Sequence, residues 1–292
     1  MDVIVQIIAS GLTMGAMYAI STIGLALVYG SLNMLNMAHG ALLALGGYVC
    51  YFAMAHLGLH PLIGLLGAMV VCGVAGLAIF LVAARPMLRA ENFETRIFIA
   101  TIGIGAIIEN IVLRLFGPQP TPQPFNLSGA IVIGQVHVPN QNLLILGLAL
   151  LLMAGLALLL QRTRLGRAIR ATAQNREAAQ LMGVRVSFVY AQVLALSGGL
   201  AAISGVMISS LSSLLPNMGG DPMLKAFIIC VVAGLGNVYG AVAAAIVLGL
   251  LEAMAQYVLG VQYSFAILLL LVILVLIWRP FGLFGRRQVV RL

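Results

Sequence analysis

The sequence predicts an all-α polytopic membrane protein, and two properties of the chain carry this prediction. Of its 292 residues, 62% are hydrophobic and only 8% are charged, which is far from the composition of a water-soluble domain. Apolar stretches long enough to cross a bilayer recur from one end to the other, so a soluble enzyme with a single anchor is excluded. We therefore expect one membrane domain over residues 1–292, with about eight or nine transmembrane helices that include discontinuous or re-entrant segments.

The first span is predicted at Val3–Tyr29. It carries Gly11 and Gly15 at G-x-x-x-G spacing. Glycines at this spacing leave a flat strip along a helix, on which the backbone of a second helix can approach closely. We expect another span to pack there.

A polar break follows at Gly30–Gly40, where an otherwise apolar stretch holds Asn33, Asn36 and His39. Non-helical backbone and polar side chains persist at membrane depth only when they are buried in protein or line a cavity. These side chains therefore either line a solute pathway or satisfy the loose backbone groups of the break. The sequence leaves both interpretations open.

Four further spans follow the break. They are separated by one charged connection, Arg85–Arg96, and by one that has no charged residue at all, Gly117–Asn142. The uncharged connection holds five of the ten prolines, which favours extended, polyproline-like chain, and its lack of charge predicts a periplasmic location. The four spans are predicted at Ala41–Leu57, Leu62–Ala84, Ile97–Phe116 and Leu143–Leu160.

The next connection, Arg162–Ser187, is the most charged part of the chain. It holds six of the fourteen arginines, and Glu177 is its only acid. Within it, Gln174–Met182 predicts a short helix rich in Ala, Gln, Glu and Arg, and Gly183 is a natural stop for that helix. Such a loop is either a solvated connector whose arginines set the topology or a docking element.

The last third of the chain contains spans at Ser187–Leu211 and Ser264–Trp278, and between them a longer apolar run from Lys225 to Tyr257. We divide that run at the glycine-rich segment Gly234–Gly240 into a short limb, Lys225–Ala233, and a full span, Ala241–Tyr257. The limb is too short to cross alone, so it is predicted to be half of a discontinuous element. The span before it carries small residues for close packing: Ser197, Gly198, Gly199, Ser204 and Gly205.

The positions of the basic residues predict the orientation. With the N-terminus outside and the C-terminus in the cytoplasm, thirteen of the fifteen Lys and Arg residues are cytoplasmic, the exceptions being Arg114 and Lys225. This orientation requires an even number of crossings between the arginine loop and the C-terminal arginine cluster, and the division of the Lys225–Tyr257 run provides it. The C-terminal cluster consists of Arg279, Arg286, Arg287 and Arg291.

The sequence carries no motif of an enzyme. It has no phosphate-binding loop, no nucleophile elbow, no H-E-x-x-H motif and no paired cysteines, and its four histidines are scattered. The net charge of +8 is concentrated in the arginine loops, a distribution that argues against nucleic-acid binding. The three cysteines lie in apolar runs and are predicted to be small core residues.

The whole chain resembles the LivH-type permeases of bacterial high-affinity branched-chain amino-acid ABC importers. Within the arginine loop, EAAQLMG (Glu177–Gly183) has the form E-A-A-x-x-x-G, which resembles the coupling loop that docks importer permeases on their ATPases. The match is carried by four blocks in the family's order: Gly15–Tyr48, Thr163–Val184, Lys225–Val242 and Arg279–Gly285.

The resemblance implies a permease of the cytoplasmic (inner) membrane that acts with other chains. These are a related second permease, two cytoplasmic ATPases and a periplasmic or lipid-anchored binding protein, with ATP and Mg²⁺ bound by the ATPases and no cofactor bound by this chain. Arg170 and Glu177, seven residues apart, could share one helix face and offer charges to the ATPase. The coupling residues are then Arg170, Glu177, Ala178, Ala179 and Gly183.

Candidate pathway residues are the polar groups in apolar settings: Asn33, Asn36, His39, Asn237 and Glu252. The resemblance also covers permeases for urea and other small organic solutes, so the solute is left open. An ion-coupled secondary transporter is the competing class, and it would use Glu109, Arg114, Lys225, Glu252 or His39. A channel is disfavoured because the chain has no filter-like motif.

Overall fold

The computed structural model describes residues 2–88, 92–133 and 136–285. Within these residues the chain is a bundle of helices with two small pairs of strands. Seven helices are long and apolar enough to cross a membrane. The helices are α1 Asp2–Leu32, α2 His39–Ala55, α3 Pro61–Ile79, α4 Arg85–Met87, α5 Phe93–Phe116, α6 Asn140–Arg162, α7 Arg164–Gln174, α8 Arg176–Leu181, α9 Val186–Leu211, α10 Gly220–Ala233, α11 Val238–Leu259 and α12 Val261–Trp278.

Helix α1 is the longest element, with 31 residues and a length of about 46 Å. Its G-x-x-x-G face packs against α11, as predicted. A methyl group added at Gly15 would lie 2.8 Å from the Cα of Ile246, and one added at Gly249 would lie 2.7 Å from the carbonyl oxygen of Gly11. The two helices run antiparallel in direct backbone contact.

Because this contact leaves no room for a side chain, Gly249→Val should destabilise the bundle by about 1–3 kcal/mol or more. Gly147→Val is the matched control, since a methyl there meets nothing within 4 Å and the position also lies inside a membrane helix, α6. We expect a clearly lower melting temperature for the purified Gly249 variant than for the control. Equal melting temperatures would show that the α1–α11 contact is not close.

Helix α9 lies at the centre of the bundle. The small residues predicted to mediate close packing do so: a methyl at Gly198 would collide with the carbonyl of Cys72 on α3, and one at Gly205 with the carbonyl of Leu43 on α2. The carbonyl of Gly24 on α1 accepts a hydrogen bond from Ser197 Oγ at 2.9 Å. Helix α9 thus joins α1, α2 and α3.

Both predicted breaks are present, with shifted bounds. Helix α1 continues to Leu32, so the irregular segment is Asn33–Ala38, and Asn33 has a positive φ of 52°. Helix α10 begins at Gly220, five residues before the predicted Lys225, because the chain turns into the helix at Gly219. The second break spans Gly234–Asn237 and has a positive φ at both glycines, 97° at Gly234 and 85° at Gly236.

The third span is longer than predicted. Helix α3 passes into a π-helical turn at Phe80–Ala84 and then into α4, so the apolar helix reaches Met87. The first charged loop is correspondingly shorter. Its residues Arg89 and Glu91, like Arg286, Arg287 and Arg291 of the C-terminal cluster, lie outside the described residues.

The proline-rich connection is paired into strands rather than forming free polyproline-like chain. Strand β1 (Thr121–Pro122) pairs antiparallel with β4 (Ser213–Leu214), and β2 (Ala130–Ile133) pairs antiparallel with β3 (Val136–Pro139). Gln123 Nε2 also donates to the carbonyl of Gly47 on α2 at 3.2 Å. These bonds hold the connection against the middle of α2 and the end of α9.

Candidate functional site

The arginine loop folds as two short helices with a bend between them. Helix α7 is capped by Thr163, whose hydroxyl accepts from the backbone N–H of Gly166 at 3.0 Å. Asn175 is extended, with φ −157° and ψ 111°, and its Oδ1 caps α8 by accepting from Ala178 N at 2.9 Å. The helix predicted over Gln174–Met182 is therefore the shorter α8.

The bend corrects one prediction. Arg170 lies on α7 and Glu177 on α8, so the two do not share one helix face, because the extended Asn175 interrupts the helical register. The guanidinium of Arg170 instead bonds the carbonyl of Leu160 at the end of α6. It borders a cleft of about 450 Å³ between α1, α6, α7 and the start of α11.

Helix α8 is held to the membrane helices by its inner face. Arg176 Nη1 donates to the carbonyl of Leu88 at 3.3 Å, and its guanidinium lies 5.9 Å from the centre of the Tyr190 ring on α9. Ala179 is buried in the same apolar cluster as Ala83 and Tyr190. The prediction that both alanines face a partner is therefore wrong for Ala179, and only Ala178 of the pair is exposed.

The end of α8 is apolar, next to the exposed Glu177 and Gln180. Leu181 is 88% exposed and Met182 is 84% exposed, although both lie in the most charged connection of the chain. Gly183 ends the helix with a φ of 83°, as its position after the helix predicts, and its N–H bonds the carbonyl of Gln180 at 3.0 Å. Exposed apolar side chains on a charged loop are typical of a docking surface.

Sequence reasoning missed the roles of Leu181, Met182 and Arg176. The signal for the first two was available, since an apolar pair at the tip of an arginine-rich loop is unusual. Nothing in the sequence distinguished Arg176 from the other five arginines of the loop. Its inward direction follows from the packing of α8 on α9.

The structure places the five candidate pathway residues in three separate regions. Asn36 and His39 are buried where α2 begins, against α1. His39 Nε2 lies 3.0 Å from the carbonyl oxygen of Ser21, and Asn36 Oδ1 accepts from Ala38 N at 3.2 Å. Asn36 Nδ2 and His39 Nδ1 are buried without a hydrogen-bond partner among the described residues.

Asn33 and Asn237 lie near the C-terminal end of α1. Asn33 is exposed and borders a cleft of about 390 Å³ with Glu94 and Phe281. Asn237 caps α11 through Gly240 N at 3.0 Å and donates to the carbonyl of Phe284 at 3.2 Å. The structure thus gives Asn237 a capping role at the second break.

Glu252 belongs to a buried charged cluster between α1, α10 and α11. It accepts from Tyr18 Oη at 2.6 Å and from Lys225 Nζ at 2.9 Å, and Gln256 Nε2 lies 3.4 Å away. Lys225 also lies 3.4 Å from Asp221. Of the two ion pairs that Lys225 makes in the described residues, the one with Asp221 is the longer. Sequence reasoning did not single out Tyr18.

Comparison with known proteins places this architecture in a family. Residues 7–277 match the family model described as the branched-chain amino acid transport system / permease component. The high-affinity branched-chain amino acid transport system permease protein BraD of Pseudomonas aeruginosa is 33% identical over 298 residues, which cover 97% of this chain and 96% of that protein.

Two further relatives extend the match. The permease protein LivH of Escherichia coli K12 is 29% identical over 96% of this chain and 95% of its own length. A probable LivH of Methanocaldococcus jannaschii is 27% identical over 90% of this chain and 87% of its own. No solved structure matches the chain. The chain belongs to the family of permease components of branched-chain amino acid transport systems.

Proposed function

We propose that this protein is the permease subunit of an ATP-driven ABC importer that moves branched-chain, or other small hydrophobic, amino acids across the cytoplasmic (inner) membrane. The exposed surface of α8 is the observation that supports ATP-driven transport. A short helix that presents Ala178, Leu181 and Met182 from an arginine-rich loop is suited to bind a partner protein. The amino-acid part is supported by what BraD and LivH are named for.

The proposal requires several partners. ATP and Mg²⁺ bind to two cytoplasmic ATPase chains, a related second permease completes the membrane portion as a heterodimer, and a periplasmic or lipid-anchored binding protein delivers the solute. This chain supplies the path and the docking surfaces. The uncharged Gly117–Asn142 loop would then meet the binding protein through shape and backbone contacts.

We further propose eight to nine crossings or partial crossings, with the N-terminus outside. Helix α10 has 14 residues and a length of about 21 Å, which is less than the roughly 30 Å of the hydrocarbon core. It therefore does not cross alone. The seven long helices together with α2 and α10 make up the proposed set of nine.

The topology can be tested with single cysteines at Ser128 and Gln174, both exposed, in a background without Cys50, Cys72 and Cys230. Thr172, in the same loop as Gln174, is unsuitable because its side chain is buried. An impermeant maleimide added to intact cells should label Ser128→Cys and not Gln174→Cys, whereas permeabilised cells should show both. Labelling of only Gln174→Cys in intact cells would invert the proposed orientation.

The solute can be tested with the complete transporter in cells that lack other leucine importers. Uptake of radiolabelled leucine should require this chain and should be reduced by excess isoleucine or valine but not by excess urea. Chain-dependent uptake of labelled urea without uptake of leucine would contradict the amino-acid assignment and leave a urea permease of the same family.

A further inference from the structure

In the proposed topology two helices of this bundle begin inside the membrane, and their first turns touch. Helix α2 starts at His39, directly after the first break, and α10 starts at Gly220. A methyl group added at Gly40 would lie 2.7 Å from the carbonyl oxygen of Gly219, so the two backbones are in direct contact there. We call this contact, Gly40 with Gly219, the junction.

In the proposed topology the junction lies within the bilayer. From it, α10 runs about 21 Å to Ala233, where Leu283 N and Phe284 N bond the last carbonyls of the helix and where Gly236 contacts Gly30 at the end of α1. Helix α2 runs the other way, towards the Gly117–Asn142 loop, whose Gln123 bonds its Gly47 carbonyl. The two N-terminal ends therefore face each other roughly 15–20 Å from the Leu32 end of α1, since His39 lies against Ser21 and Gly24 of that helix.

Both N-terminal ends keep open backbone N–H groups. His39 N bonds the carbonyl of Asn36 at 3.2 Å and Gly220 N that of Asn217 at 3.1 Å, whereas Gly40 N, Ala41 N and Asp221 N have no hydrogen-bond partner in the described part of the chain. The first N–H groups of a helix lack partners within it and carry partial positive charge, and at membrane depth they need an acceptor. Two such ends at one point favour a negatively charged group between them.

A buried side chain at the junction lacks a partner as well. Asn36 is 1% exposed, and its Oδ1 accepts from Ala38 N, which places the amide group over the first turn of α2. Its Nδ2 has no hydrogen-bond partner in the part of the chain that the structure describes. An unsatisfied buried N–H₂ group costs free energy, and a carboxylate oxygen would satisfy it.

A negative charge is exposed beside the junction. The side chain of Asp221, in the first turn of α10, is 66% exposed and lies 3.4 Å from Lys225 Nζ. A carboxylate at this depth does not face lipid, so this surface lines a water-filled path or meets a partner. Lys225 is in turn held by Glu252 at 2.9 Å, which leaves Asp221 available to a second cation.

We propose that the junction binds the two charged ends of a zwitterionic amino acid during translocation. The open N–H groups of Gly40, Ala41 and Asp221, with the Asn36 amide, take its carboxylate, and the Asp221 side chain takes its ammonium group. The inference rests on the proposed amino-acid function and extends it, since urea has neither charge. The close Gly40–Gly219 contact means that the junction is shut in this structure and that α2 and α10 separate when solute passes.

The test uses the complete transporter in proteoliposomes, with photo-leucine, a diazirine analogue of leucine, as the probe. Irradiation during ATP turnover should cross-link it to residues 36–42 or 219–225, as located by peptide mass spectrometry. Asn36→Asp, which sets a negative charge at the carboxylate position, and Asp221→Asn should each lower this cross-linking and leucine uptake roughly tenfold or more. Gln6→Glu and Gln262→Glu, at exposed positions outside the junction, add one negative charge as Asn36→Asp does and should leave both unchanged.

Each outcome separates the two proposals. If the wild-type transporter imports leucine but photo-leucine labels other segments, or if both junction variants retain full labelling, the junction site is wrong and the importer proposal stands. If the wild-type transporter does not import leucine, the amino-acid function is wrong, and the junction site that rests on it is wrong as well. Should a variant fail to assemble, the position of the wild-type cross-link decides alone.

Discussion

Replacing Leu181 and Met182 together by aspartate should abolish solute-stimulated ATP hydrolysis and uptake while the membrane helices remain folded. Both side chains are almost fully exposed at the end of α8, and neither contributes to the apolar clusters of the bundle. If an ATPase chain covers them, each contributes about 1.5–3 kcal/mol of apolar burial. The pair of substitutions then weakens docking at least about a hundredfold.

The measurement is co-purification of the ATPase chains with the permease, followed by ATP hydrolysis with and without loaded binding protein. Gln174→Asp is the matched control, because it adds a charge at an exposed position of the same loop without removing an apolar contact. Gly183→Val should weaken coupling in a different way, by disfavouring the positive φ that ends α8. Full stimulation in the double aspartate variant would mean that the arginine loop is only a connector.

Replacing Glu252 by glutamine should cost about 3–5 kcal/mol of stability, because it leaves the ammonium group of Lys225 buried without its nearest partner. The two side chains are 1% and 12% exposed, and Asp221 is the only other acid bonded to Lys225 in the described residues. Tyr18→Phe should have a smaller effect, about 1.5–3 kcal/mol, since it removes one hydrogen bond to a charged acceptor.

The melting temperature of the purified transporter measures this effect, and Glu94→Gln at an exposed site is the control. The double variant Lys225→Met with Glu252→Met removes both charges and should be more stable than either single variant, because no charge is left unpaired. If the Glu252→Gln protein had the same melting temperature as the wild type, the charged cluster would have to be solvated in the membrane.

Local features of the arginine loop could be predicted from the sequence. The short helix, its end at Gly183 and the positive φ there follow from the order of helix-forming residues and glycine. Which face of the helix is buried could not be predicted from the sequence. Ala178 and Ala179 are the same residue type, and only packing on α9 buries one of them. For the same reason the inward role of Arg176 was not evident.

Contacts between distant parts of the chain were not predictable. The break in the Lys225–Tyr257 run follows from glycines and from charge parity, and the structure has it. That Lys225 reaches Glu252 depends on how α10 and α11 fold back at this break, which no local pattern specifies. The meeting of Gly40 with Gly219 likewise joins segments far apart in the chain, and neither glycine belongs to a spacing motif.

The central claim is that ATP hydrolysis on separate chains, received through α8, drives solute past this protein. Uptake of labelled leucine into proteoliposomes that contain the complete transporter and binding protein tests it directly. The account predicts uptake that requires hydrolysable ATP on the ATPase side and is unaffected when ionophores dissipate proton and sodium gradients. Uptake that proceeds without ATP and stops when those gradients are removed would contradict the account and identify an ion-coupled transporter.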